Sequence, residues 1–156
     1  MRFALVIVFY LTVLSVSAQK VPVMAYNEAE KLWTSTSDTV YLVNYWATWC
    51  KPCIEELPDF LKLNEEYKNR KFKMILVSLD FPQHIESRVI PFMKKKEIKA
   101  RVILLDDNAN TWINKVNSNW DGSIPVTQII YKNKKEFYNK TLNYNELKQI
   151  VEPKLK

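Results

Sequence analysis

Residues Thr39 to Tyr45 read TVYLVNY, an unbroken run of β-branched, aromatic and aliphatic side chains bounded by Ser37-Asp38, which suits a buried strand. Five residues later the apolar period changes. From Cys50 onward Ile54, Leu57 and Leu61, interleaved with Phe60, Leu63 and Tyr67, recur every three or four positions, as a helix with one buried face requires. Pro58 falls inside that helix and should kink it rather than end it, because the apolar period continues past it. A strand passing so quickly into an amphipathic helix is the unit of an α/β fold, and the rest of the chain repeats it.

Val21 to Met24 suits an edge segment, and Asn27 to Trp33 has helical spacing. Phe72 to Leu79 (FKMILVSL) is apolar nearly throughout, which predicts a central strand. Ile85, Val89, Phe92 and Met93 mark a second amphipathic helix, with an irregularity at Pro91. Val102 to Leu105 is a short strand followed by a turn or cap at Asp106-Asp107-Asn108, and Trp112, Ile113 and Val116 mark a short helix. Val126 to Tyr131 and Glu136 to Tyr138 read as a hairpin turning at Asn133-Lys134. Leu147, Ile150 and Val151 give a last helix, capped near Asn143 or Asn145 and closed by Pro153. The fold class is α/β, a sandwich with a mixed central sheet flanked by helices.

The 156 residues, 47% apolar and 13% aromatic, suffice for one core, and the expected domain covers residues 19–156. Residues 1–18 differ in kind. Met1-Arg2 is a short basic start, Phe3 to Leu14 is almost wholly apolar, and Ser15-Val16-Ser17-Ala18 offers small residues for cleavage, as in a secretory signal peptide. A retained anchor needs about 17 to 25 apolar residues, and this run breaks at Ser15. The expected mature chain is exported, periplasmic or secreted. Without Arg2 it carries 22 basic and 17 acidic side chains, a modest net +5.

The basic clusters at Lys94, Lys95, Lys96, Lys99 and Arg101, and at Lys132, Lys134 and Lys135, close apolar segments and read as solvated faces. No nucleic-acid motif accompanies them, so no nucleic-acid partner is expected. The triplet Asn139-Lys140-Thr141 fits a glycosylation sequon, a pattern that also arises by chance.

Both cysteines of the chain, Cys50 and Cys53, stand three apart. Three chemistries fit such a pair. A structural zinc site wants four ligands, usually cysteine and histidine, and the chain adds only His84, so no metal is expected; His84 itself reads as a helix-start or surface residue. A structural disulfide suits an exported protein, yet it would close a very short loop, and loop-closure stabilisation grows with loop length. A redox pair uses more of what surrounds it. With the helix beginning at the pair, Cys50 lies where unpaired N–H groups and the positive end of the helix dipole stabilise a thiolate. Cys53 follows one turn inward as the resolving thiol. Pro52 suits a first helical turn, and Lys51 adds a nearby positive charge.

The string Trp46-Ala47-Thr48-Trp49-Cys50-Lys51-Pro52-Cys53, with Glu56 and Pro58 at the expected spacing and Gly122-Ser123-Ile124-Pro125-Val126-Thr127 downstream, resembles the thioredoxin-like fold, and within it the exported TlpA-like group. The resemblance implies a thioredoxin-like three-layer sandwich and a thiol-disulfide oxidoreductase. Its Cys50–Cys53 disulfide would be the redox centre, with no other cofactor. It implies Cys50 as nucleophile, Cys53 as resolving thiol, and Glu56 as proton acceptor for Cys53, because Asn44 stands where thioredoxin has a buried aspartate.

The same resemblance makes Pro125 cis, against the disulfide, with the Ile124 backbone free to pair with a substrate chain. Trp49, Lys51 and Pro52 would line the same surface, while Trp46 would be core. From the residues alone, Pro125 also fits an ordinary trans proline at a strand start. The single glycine, Gly122, is fewer than the group usually has.

The group includes reductants for cytochrome c maturation, so the expected role is reduction of disulfides in exported proteins, fed by a membrane thiol reductase. The alternatives are an oxidase or isomerase using the same residues, and a non-catalytic peptide-binding module in which the bridge is structural.

Overall fold

The computed structural model describes residues 20–34 and 37–155. The signal expected over residues 1–18 lies outside them. The described residues place six strands in one sheet: β1 (Val23–Met24), β2 (Val40–Trp46), β3 (Phe72–Ser78), β4 (Arg101–Leu105), β5 (Val126–Tyr131) and β6 (Lys134–Tyr138). Their order across the sheet is β1-β4-β3-β2-β5-β6. β1, β4, β3 and β2 run parallel, whereas β5 is antiparallel to β2 and β6 to β5. The expected mixed sheet therefore changes direction at β2.

Among the described residues five helices cover it: α1 (Tyr26–Ala29), α2 (Lys51–Tyr67), α3 (Ile90–Lys95), α4 (Ala109–Val116) and α5 (Tyr144–Val151). All seven residues of β2 are buried, and of β3 only Lys73 is exposed. Strands covered on both faces have no polar side to show, which is why both read as continuous apolar runs rather than alternations. Successive β2 side chains divide between the faces. Leu42 and Trp46 join Leu57, Phe60, Leu63, Met93 and Leu147 on the α2, α3 and α5 side. Tyr41, Val43 and Tyr45 join Tyr26, Trp33, Trp112 and Trp120 on the α1 and α4 side. There Trp112 stacks between Tyr26 and Tyr45, with centroids 5.9 and 6.0 Å away.

Four local readings are refined by the structure. The hairpin turns at Lys132-Asn133, one residue earlier than expected, because Tyr131 pairs with Lys134 and closes a two-residue loop whose members both have positive φ, 48° and 63°. The second amphipathic helix begins with a 3-10 turn at Pro82–His84 and a π turn at Ile85–Val89 before α3. Pro91 offers no N–H to the carbonyl of Ser87, four residues back, and just before it the Ile90 N–H reaches five residues back to the Ile85 carbonyl. The first helix is four α residues followed by a 3-10 turn, Glu30–Leu32. At the last helix Asn143, not Asn145, is the cap: its side chain accepts from the Glu146 N–H at 3.0 Å, and Glu146 accepts from the Asn143 N–H at 2.9 Å. α2 itself runs through Pro58 as one helix.

Candidate active site

β2 ends at Trp46, and three residues carry the chain to Cys50, the N-cap of α2. The turn is closed by the Cys50 N–H donating to the Ala47 carbonyl at 3.1 Å. Cys50 has extended backbone angles, and its sulfur accepts the Cys53 N–H at 3.3 Å, so a helix-end donor that serine or aspartate would ordinarily satisfy is held by sulfur. Cys50 and Cys53 are joined, with an S–S distance of 2.03 Å and Cα atoms 5.3 Å apart. Both are buried, Cys53 on the inner face of α2 with Glu56, Leu57 and Phe60. Pro52 occupies the first turn, where its missing donor costs nothing.

The neighbours divide as their chemistry predicts. Trp46 is core, while Trp49 is 58% exposed beside the disulfide. Lys51 is solvated and 3.8 Å from Glu55, a contact worth little to the sulfurs. The Ile124–Pro125 peptide is cis, and the Ile124 carbonyl oxygen lies 3.7 Å from Cys50 Sγ. A disulfide sulfur has no proton to give, so this is a contact. Gly122, at φ 87°, sets up that loop: a side chain there would be strained and would meet Ile113 Cδ1 at 3.1 Å.

Glu56 lies one turn beyond Cys53 and is only 6% exposed. Its Oε1 accepts from Asn44 Nδ2 at 3.0 Å, and its Oε2 accepts from the Leu142 N–H at 2.9 Å. Burial pushes its carboxyl up to about 7, against the two hydrogen bonds, which favour the ionised form. Asn44 also donates to Thr127 Oγ1 at 3.1 Å, and Thr127 is its cross-strand partner two residues after Pro125. Glu56 thus ties the cysteine helix to β2, to the strand following the cis-proline and to the segment before α5. A cavity of about 260 Å³ lined by Pro52, Glu55, Glu56 and Leu142 adjoins it.

One positioning residue has no counterpart in the sequence reading. Asp80 is buried, and its carboxylate accepts from the Thr48 N–H at 3.0 Å, the Thr48 hydroxyl at 2.6 Å and the Ser78 hydroxyl at 2.8 Å. It anchors the turn that delivers Cys50. The available signal was its place just past the carboxyl end of a buried strand, where open α/β sheets carry their sites. His84 stands away from this chemistry, its ring against Phe81 at 6.2 Å. Among the described residues no group of three or more His, Cys, Asp or Glu is placed to hold a metal, and no helix is long and apolar enough to cross a membrane.

A sheet of this order, with a paired CxxC at the start of α2 facing a cis-proline, defines a protein of the thioredoxin-like class. Within that class the chain belongs to the AhpC/TSA family, whose profile matches residues 13–135.

Among curated proteins it is similar to the thioredoxin-like protein YneN of Bacillus subtilis, 30% identical over 89 residues, 57% of this chain and 48% of that protein. It is also similar to the thiol-disulfide oxidoreductase ResA of Geobacillus kaustophilus, 28% identical over 109 residues, 70% of this chain and 52% of that protein. The chain thus spans about half the length of these two relatives. A thiol:disulfide interchange protein from Chlorobium tepidum shares the fold with a TM-score of 0.63 and 23% identity, covering 76% of this chain and 81% of that one. StoA from Bacillus subtilis does so with a TM-score of 0.56 and 19% identity, over 72% and 82%.

Proposed function

We propose that this protein is an exported thiol-disulfide oxidoreductase that reduces disulfides in other exported proteins, apocytochrome c being one such substrate in cytochrome c maturation. The observation that carries the reading is the placement of Cys50 at the N-cap of α2, its sulfur held by the Cys53 N–H, with the buried carboxyl of Glu56 one turn beyond. Export is supported by the signal-like residues 1–18, and one fold neighbour is a secreted thiol-disulfide isomerase from Corynebacterium glutamicum.

In the reduced protein, the Cys50 thiolate attacks one sulfur of a substrate disulfide. A Cys50–substrate S–S bond forms, the substrate's own S–S bond breaks, and its second sulfur leaves as a thiolate that takes a proton from solvent. Cys53 passes its proton toward Glu56 or water and attacks Cys50 Sγ, releasing the other substrate thiolate and leaving the Cys50–Cys53 disulfide. Two electrons have moved from protein to substrate. A membrane thiol reductase would return them. With its carboxyl near 7, Glu56 is matched to a proton acceptor working at neutral pH. Trp49, Lys51, Pro52 and the backbone of Ile124 form the surface that receives the substrate chain.

Direction follows from how far the thiolate is favoured. The helix N-terminus favours it and pulls toward an oxidant; an ionised, buried Glu56 near the sulfurs disfavours it and pulls toward a reductant. Equilibration with thiol-disulfide buffers measures the result. A potential near the thioredoxin end, about −270 mV, supports the reductant; one near −120 mV makes the pair a disulfide donor or isomerase. A pair that never equilibrates is a structural bridge in a peptide-binding module. Cys53→Ser should accumulate mixed disulfides on Cys50 with exported proteins, and their absence would count against the exchange mechanism.

A further inference from the structure

The carboxyl ends of β3 and β4, with the loop before Pro125, border a second cavity of about 310 Å³ that the exchange steps leave unused. Leu79, Phe81, Leu105 and Ile113 contribute to its apolar lining. Three aspartates are among the residues that line it, Asp80, Asp106 and Asp107, and no lysine or arginine is. Two of them have other duties. Asp80 is bonded to Thr48 and Ser78, and Asp107 accepts from the Tyr26 and Asn108 N–H groups at 3.0 and 2.7 Å. Lys115 acts on Asp107 only from a distance, its amine being bonded to Asn27 Oδ1 at 2.9 Å. Asp106 is exposed, and among the described residues nothing bonds its carboxylate. In a chain of net charge +6, this is a local reversal of sign.

Two short links connect residues that border the cavity to the disulfide turn. Thr48 bonds Asp80, so Trp49 and Phe81, which follow them, stand one residue from either end of that bond. They are 58% and 62% exposed, more than any other large hydrophobic residue among the described residues; Val23, in edge strand β1, is next at 47%. Gly122, which borders the cavity, is two residues before Ile124, whose carbonyl touches Cys50 Sγ. Isolated exposed apolar residues are ordinary, but two exposed aromatic side chains, one next to Cys50 in the chain and one lining the cavity, are what a polypeptide ligand would use.

We propose that this cavity is a substrate subsite, taking an apolar side chain near the reacting cysteine of a cationic polypeptide segment, with an adjacent lysine or arginine meeting Asp106. The inference rests on the oxidoreductase reading above. It deepens that reading by naming a substrate class: basic, locally unfolded chains rather than acidic or compact ones.

The test offers the reduced protein two disulfide peptides that differ only beside one cysteine, Leu-Lys in one and Ser-Glu in the other. Each rate is divided by the same peptide's rate with dithiothreitol, which removes intrinsic reactivity. Hydroxyethyl disulfide, which has no side chains to seat, is the reference for each protein variant. The Leu-Lys peptide should be favoured roughly tenfold through apolar burial and about threefold more through the exposed charge pair. The second factor should fade in high salt. Phe81→Ser should remove most of the first factor and Asp106→Lys the second, relative to each variant's own hydroxyethyl disulfide rate. Equal normalised rates in the unaltered protein, or a preference that survives both substitutions, would overturn the subsite and leave the oxidoreductase reading standing. Exchange with none of the three disulfides would bring down that reading, and the subsite with it.

Discussion

Replacing Glu56 by Gln isolates the cost of burying a carboxyl behind the disulfide. Burial moves this group from 4.5 to about 7, so the folded protein holds the proton more tightly than the unfolded chain does. Stability is therefore greatest below the unfolded value, falls as pH rises from about 4.5 to about 7, and is flat beyond. At 1.36 kcal/mol per pH unit the full loss is about 3 kcal/mol. Glutamine cannot ionise and removes the slope. It can still accept from the Leu142 N–H, but not also from Asn44, whose donor would then face the new amide nitrogen; that lost bond costs about 1 kcal/mol.

The two profiles should cross between about pH 5 and 6, with the wild type more stable on the acid side and the Gln variant by about 2 kcal/mol above pH 7. Urea unfolding of the oxidised proteins from pH 4 to 8 measures the difference directly. A constant offset across the range would show that Glu56 titrates alike in folded and unfolded chains, and the argument from burial would fail.

Asp80→Asn should cost about 3 kcal/mol, because a charged acceptor of three short bonds becomes an amide that must present a donor to one of them. Faster hydrogen exchange at the Thr48 amide would locate the loss in the turn before Cys50, and unchanged exchange there would refute the anchoring role. Asn143→Ala removes the cap of α5 and should cost about 1 kcal/mol in urea unfolding, with Asn145→Ala, outside the cap, near zero. Equal effects at the two positions would show that the capping box contributes nothing.

Strand and helix order was readable because each apolar run has only one period, and β2 and β3 are covered on both faces. What escaped reading was local hydrogen-bond geometry. Lys132 at φ 48° is a conformation that lysine seldom adopts, so no residue preference announced the hairpin turn one position early. The π turn before α3 was visible only as an irregularity at Pro91, since the missing donor identifies where a bond is lost and not how the backbone refits around it. At the site, the helix starting at the cysteines was legible from its apolar period, while the roles of Cys50, Cys53, Glu56 and Pro125 were implied by the family resemblance. Asp80 was not legible, because its three donors come from Thr48 and Ser78, one of which lies 32 residues away and meets it only when β2 and β3 pair in register.

That register explains why a helix-end disulfide needs the rest of the sheet. β2 is the strand where the sheet reverses direction: its parallel neighbour β3 ends near Asp80, and its antiparallel neighbour β5 begins beside Pro125. The turn leaving β2 is thus gripped from one side through Thr48 and faced from the other by the Ile124 carbonyl. Asn44, in the middle of β2, joins the cysteine helix to the antiparallel side by donating to Glu56 on α2 and to Thr127 on β5. A change in the charge of Glu56 alters the acceptor strength that Asn44 and the Leu142 N–H both meet. Protonation of Glu56 therefore bears on the cysteine helix, the strand after the cis-proline and the segment before α5 together. The same contacts that hold the oxidised site in place are the ones through which its protonation state must act.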